Sequence, residues 1–272
     1  MAPEKMLSTR TETEMPARVR KLLLGAILLL ALLLRLLCWH MEPTLSRDGV
    51  TYAELIQIWV DGGSFQAILQ HWPECWLPPL PLGLVLLLVK CGLPLEAAGV
   101  GVNIVLGTLI PLLVYRMAKI VTRSNSIALG AALLAAVHPM LIELSIEIQR
   151  DTPYLFLIGC TLCFLLEAVR RANCFFWGAG GIFLGLAILT RFESLEFMPV
   201  VFCYLAGTVW LKVQSCRTAL KQFGILCAGI LLACFLASWI MGVPFSYYKI
   251  YSGRMARMAE DTFPAEEQEK VR

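Results

Sequence analysis

The chain is 272 residues long, 58% hydrophobic and 16% charged, with a formal net charge of +3. So little polar surface cannot cover a water-soluble globule, which excludes a soluble enzyme and predicts an all-α, polytopic integral membrane protein. The basic residues sit in short clusters between apolar runs rather than on a stripe, which argues against nucleic acid as a partner.

A hydrocarbon core about 30 Å thick takes roughly 20 apolar residues per helix. In chain order this predicts spans over 22–38, 95–115, 127–145, 153–169, 175–189, 198–211 and 223–241. No small-residue cleavage site follows the first run, so it reads as a span and not as a signal peptide. Segment 78–89 is apolar but only about twelve residues long, the length of a re-entrant or interfacial helix. It opens on Pro78-Pro79, with Pro81 close behind.

Positive charge decides whether 78–89 crosses. If it does not, Lys5, Arg10, Arg18, Arg20, Lys21, then Arg116, Lys119 and Arg123, then Arg170 and Arg171, then Lys212, Arg217 and Lys221 all fall on the cytoplasmic side. If it does cross, the last three clusters move outside, against the positive-inside rule. The first arrangement leaves about seven spans, an amino terminus inside, a carboxyl terminus outside and a long outer loop over 39–94. The chain then divides into a cytoplasmic segment 1–21, a transmembrane module 22–251 and a polar, mobile tail 252–272.

Outer loops of this length are functional more often than not. This one carries Asp48, Tyr52, Glu54, Asp61, His71, Glu74 and the tryptophans Trp59, Trp72 and Trp76. Residues 55–60 read as a short helix lying in the interface, within a loop that acts as a lid over a groove at the outer leaflet. Asp48 beside Arg47, and Asp151 beside Arg150, are expected on the same, non-cytoplasmic face. His71 and Glu74, at i and i+3, could chelate a cation if helical, against a plainer reading as solvent-exposed polar residues. His138 precedes Pro139 within a span and is expected to hydrogen-bond a carbonyl freed there rather than bind metal. The ten cysteines are scattered singly through apolar segments, and the Cys160/Cys163 pair reads as packing rather than redox or metal chemistry.

Several of these motifs occur in an ordered set: Asp48-Gly49-Val50-Thr51-Tyr52-Ala53-Glu54 followed by Gly62-Gly63, then Pro78-Pro79-Leu80, Asp151-Thr152-Pro153-Tyr154, and Gly185 to Thr190-Arg191. From about Leu22 to Tyr251 the chain resembles the bacterial branch of the GT-C glycosyltransferases, which includes protein O-mannosyltransferase-like enzymes and lipid A aminoarabinose transferases. The resemblance implies a seven-span module, a catalytic acid in the first outer loop and a polyprenyl-phosphate-linked sugar as donor. It also implies a lipid, glycan or protein acceptor and a place in the bilayer of a bacterial inner membrane.

Glycosyl transfer from a lipid phosphate to a hydroxyl needs a base for the incoming oxygen and cations for the departing phosphate. The resemblance assigns the base to Asp48, with inversion at the anomeric carbon. The alternative is that Asp48 caps a short helix or pairs with Arg47. Asp151 matches the second acidic motif and would hold a polar neighbour or the acceptor, or cap the span beginning at Pro153. Arg191 matches the family's Thr-Lys or Thr-Arg position and could clamp the donor phosphate, or else snorkel to lipid phosphates or pair with Glu193. Arg47, Tyr52, Glu54 and Arg150 are further substrate-binding candidates.

Relatives place an acid two residues before Pro-Pro and a lysine immediately before it, where this chain has Trp76 and Leu77. A divalent metal therefore rests on His71 and Glu74 alone, and no other cofactor is implied. GT-C enzymes usually continue with further spans, which leaves a minimal transferase, one half of a two-chain enzyme or a truncated product as readings. A non-catalytic subunit of a glycosylation complex and a transporter of lipid-linked sugar are the alternatives in other classes.

Overall fold

A computed structural model of the protein describes residues 15–41, 46–71, 78–244 and 247. Glu74, Trp72, Trp76 and the tail 252–272 lie outside the described residues, as does the side chain of His71. The elements are α1 (Ala17–Met41), α2 (Arg47–Val60), α3 (Phe65–His71), α4 (Pro79–Lys90), α5 (Leu95–Thr122), α6 (Asn125–Val137), α7 (Pro139–Glu143), α8 (Asp151–Arg171), α9 (Cys174–Ile188), α10 (Phe197–Trp210) and α11 (Cys216–Met241). A 3₁₀ turn, Phe192–Glu196, leads into α10. The protein is an all-α polytopic membrane protein, with no strand among the described residues.

Five helical stretches are long and apolar enough to cross a bilayer: α1, α5, α8, the stretch Phe192–Trp210 that includes α10, and α11. The two other predicted spans coincide with shorter apolar helices, α6 of 13 residues and α9 of 15. Pro139 is the reason for the first of these. It cannot continue the hydrogen-bond ladder, and it drives His138 to φ −66°, ψ 119°, so the run expected over 127–145 splits into α6 and α7. His138 corrects its own expectation as well. Its ring is exposed and caps neither helix.

α4 has 12 residues, hence a length of about 18 Å, too short to span. Its prolines solve a specific problem at an apolar helix start. A helix leaves its first N–H groups without partners, but Pro79 and Pro81 have none to leave. The N–H of Leu80 finds the carbonyl of Leu189, at the end of α9, at 3.4 Å. The Pro-Pro motif is thereby stitched to the segment that carries Arg191.

The described part of the loop over 39–94 is folded rather than open. Tyr52, Leu55, Ile56 and Trp59 of α2, Phe65 and Ile68 of α3, and Leu82, Val85 and Leu86 of α4 form one core with the first turns of α5 and with Val243 and Tyr247 beyond α11. Phe65 packs edge-on against both Trp59 and Tyr247, with ring centroids 5.5 and 5.6 Å apart. Between α2 and α3, Gly62 adopts φ +91°, and the N–H of Gly63 donates to the carbonyl of Ile58 at 3.2 Å. A side chain at Gly63 would put its Cβ 2.5 Å from that same carbonyl oxygen, so both glycines of the motif are required by backbone geometry.

α9 is apolar on every side and lies clasped between α8 and α11. Lipid tails are as apolar as leucine, so such contacts depend on close fit rather than on a hydrophobic drive. Small residues provide it. A Cβ at Gly185 would lie 2.7 Å from the carbonyl oxygen of Ile230, and one at Gly229 would lie 2.5 Å from that of Gly178. Gly185→Leu should therefore destabilise the fold by about 1–3 kcal/mol or more. Gly207→Leu, at a position with open space around the glycine, should be neutral. Thermal unfolding of both variants in detergent checks this, and equal melting temperatures would show that the α9–α11 seam is not tight.

Candidate active site

One end of the bundle gathers the motifs. The Leu80–Leu189 bond joins the start of α4 to the end of α9, and an ion pair joins the start of α8 to the residue just beyond α9. At the other end lie Arg123, Arg170, Arg171 and Lys212, on the turns that close the packed pairs α5–α6, α8–α9 and α10–α11.

The centre of the first end is Arg191. The helical ladder of α9 stops there, the backbone turns to φ −145°, ψ 123°, and the side chain is directed toward α8. Its Nη1 donates to Oδ1 of Asp151, forty residues earlier in the chain, with the two side chains 29% and 28% exposed. Its Nη2 lies 3.5 Å from Oε1 of Glu193, and the guanidinium sits 5.3 Å from the ring centroid of Tyr154. Tyr154 follows Asp151 by three residues on α8, so the carboxylate and the aromatic ring present a single helix face to the cation. Burial works against the charged guanidinium, but the carboxylates of Asp151 and Glu193 outweigh it and raise the arginine's pKa above its ordinary value. Arg191 is thus a permanent cation in a half-buried setting. Among the described residues its buried Nε–H has no hydrogen-bond partner.

Asp151 opens α8 in its first turn, and the cap position belongs to Arg150, which makes no side-chain capping bond. Thr152 anchors the same turn by donating from Oγ1 to the carbonyl of Leu144 at 2.8 Å. The connector that leads into α8, residues 144–150, is irregular, and Asn103 of α5 donates to the carbonyls of both Glu147 and Gln149. Irregular backbone packed among helices needs partners for its polar groups, and Asn103 supplies a donor to two of the connector's carbonyls.

Asp48 lies in helix rather than loop. α2 begins at Arg47, well before the expected 55–60 segment, because Ser46 caps it by accepting from the N–H of Gly49 at 3.2 Å. Asp48 is exposed in the first turn, and Tyr52, one turn on along the same side, is buried. Tyr52 and Ile56 line a mostly apolar hollow whose other walls include Pro78, Asn103, Gln149 and Pro153. Tyr52 of α2 and Pro153 of α8 therefore border one small hollow, and Asp48, Asp151 and Arg191 are not among its lining residues. Glu54, two residues past Tyr52, is exposed on the other side of α2. Arg47 is exposed and Arg150 half-buried, and among the described residues neither forms an ion pair. His71 ends α3, while Glu74 lies outside the described residues. Among the described residues no group of three or more metal-ligating side chains comes together.

Three participants were not singled out from sequence as site residues: Tyr154, Asn103 and Thr152. Tyr154 was legible through its spacing from Asp151. The other two are single polar residues inside apolar runs, a signal that marks functional or packing positions without saying which partner they meet.

Cys160 is buried in α8, and Cys163 lies 3.5 Å from the carbonyl of Leu113 on α5, as packing residues would. No curated protein matches the chain. Residues 78–240 match the family model described as dolichyl-phosphate-mannose-protein mannosyltransferase. The match takes in Pro78-Pro79, Asp151 and Arg191 and begins after Asp48.

Proposed function

Because the chain belongs to the dolichyl-phosphate-mannose-protein mannosyltransferase family of GT-C membrane glycosyltransferases, we propose that it transfers a sugar from a polyprenyl-phosphate-linked donor to an acceptor hydroxyl, with inversion. The observation that carries this reading is the Arg191 cation, held by Asp151, Glu193 and the Tyr154 ring, with one N–H that has no partner among the described residues. Such a group suits an anionic phosphate that must gain charge as it leaves.

In this mechanism the acceptor hydroxyl loses its proton to Asp48 as its oxygen attacks the anomeric carbon. The bond from that carbon to the phosphate oxygen breaks, and the electron pair leaves with the lipid phosphate toward Arg191. Asp151 binds neither reacting atom; it orients the guanidinium. The acceptor is a lipid, glycan or protein. The site faces the non-cytoplasmic side of the membrane, in keeping with the basic residues gathered at the other end of the bundle.

The test is transfer of radiolabel from a polyprenyl-phosphate sugar in membranes containing the intact chain. Label should pass to an acceptor with inverted configuration and lipid phosphate should be released. Membranes that bind the donor but release no lipid phosphate would favour a non-catalytic subunit.

A further inference from the structure

Arg35 lies in α1, six residues before its end at Met41, a distance of about 9 Å, and is fully buried. Among the described residues no carboxylate pairs with it. Its Nε donates to Oγ of Ser145 at 3.1 Å, Nη1 to the carbonyl of Ala31 at 2.9 Å, and Nη2 to the carbonyl of Leu141 at 3.4 Å. Gly107 of α5 makes the room, since a Cβ there would lie 2.9 Å from Nε of Arg35 and would also strike Ser145.

An ionised side chain at this depth is expensive and is retained where it has a task. Satisfying its acceptors is not that task. The Ala31 carbonyl lies inside the ladder of α1, and the Leu141 carbonyl also accepts from Oγ of Ser145. An apolar residue at position 35 would leave none of the three acceptors without a partner. What Arg35 adds to the packing of α1 on α7, among the described residues, is a hydrogen-bonded tie to Leu141 and Ser145, just where the helical backbone gives way to the irregular connector. Asn103 ties the middle of that connector and Thr152 ties α8 back to its start. Asp151 follows directly.

We propose that Arg35 is a positioning residue: through Ser145 and the Leu141 carbonyl it fixes the connector 144–150, and through the connector it sets the Asp151 carboxylate that orients Arg191. The functional half of this inference rests on the reading of Arg191 as the donor-phosphate contact. The mechanical half does not, and the two can be measured separately.

The experiment compares Arg35→Met, Arg35→Lys and Ser145→Ala in the full-length protein in detergent, by hydrogen–deuterium exchange and by steady-state transfer. In Arg35→Met, exchange across 144–150 should quicken by about tenfold or more while α9 and α11 keep their protection. The KM for lipid-linked donor should rise by about tenfold with the acceptor KM unchanged, a partial misplacement where a full shift of about 1 Å can cost about 10²-fold. Arg35→Lys keeps the charge with fewer directed N–H groups and should fall between Arg35→Met and wild type. Ser145→Ala should shift both readouts in the same direction by less, and it carries the test if Arg35→Met does not fold. Unchanged exchange across 144–150 in the folded variants would overturn the proposal, as would faster exchange with an unaltered donor KM. A wild-type protein that transfers no sugar, with connector exchange still dependent on Arg35, would sink the transferase reading and leave the tether standing.

Discussion

Asp48→Asn should reduce sugar transfer by roughly 10²- to 10⁴-fold, the usual cost of losing a general base, while expression, membrane insertion and melting temperature stay at wild-type values. The expectation is sharp because the structural alternatives for Asp48 have other owners. Helix α2 is capped by Ser46, so Asp48 is not the cap. Asp48 is exposed beside Arg47, and the two form no ion pair. An amide of the same size in the first turn of a capped, exposed helix end disturbs little. Turnover in membranes and thermal unfolding in detergent, measured on the same preparation, decide the matter. Near-normal turnover would remove Asp48 from the mechanism, whereas joint loss of turnover and stability would return it to a structural role.

The second large effect is expected at Arg191. Arg191→Ala should weaken donor binding by about 10- to 100-fold, as for the loss of charge-assisted hydrogen bonds to an anion, with acceptor affinity little changed. Arg191→Lys should lie between that variant and wild type. A lysine keeps the charge but cannot hold Asp151 with one nitrogen and offer a second, fixed N–H to phosphate. The partly exposed Asp151–Arg191 pair contributes at most about 1 kcal/mol to stability, so the fold should survive both substitutions. Titration with lipid-linked sugar checks the binding, and unfolding in detergent checks the fold. Normal donor binding together with easier unfolding in both variants would make Arg191 an anchor for the end of α9, and the phosphate contact would have to be sought at Arg47 or Arg150.

Much of the architecture was readable from composition, because the bilayer sets the length of every crossing. The apolar runs gave α1, α5, α8 and α11 to within seven residues at either end, and the short run opening on Pro78-Pro79 gave α4 as a helix too short to cross. Where the sequence reading failed, a local hydrogen bond or a proline decided. Ser46 started α2 at Arg47 instead of residue 55, and Pro139 broke a run that hydropathy alone joined.

Which residues meet across the site was a different kind of question. Hydropathy shows that a residue leaves water, and in a soluble protein the apolar stripe then also shows which way it faces. In a membrane both the lipid side and the protein side of a helix are apolar, so α9 carries no stripe that tells α8 from α11 and the surrounding lipid. The all-helical class, the apolar spans, the clustering of basic residues and the motifs themselves were written in the chain. That Asp151 closes on Arg191, that Tyr154 stacks beneath it, that Leu80 binds the end of α9 and that Arg35 is buried against Ser145 depended on how the helices pack, because each partner is far away in sequence and only close fit between helices brings the pairs together.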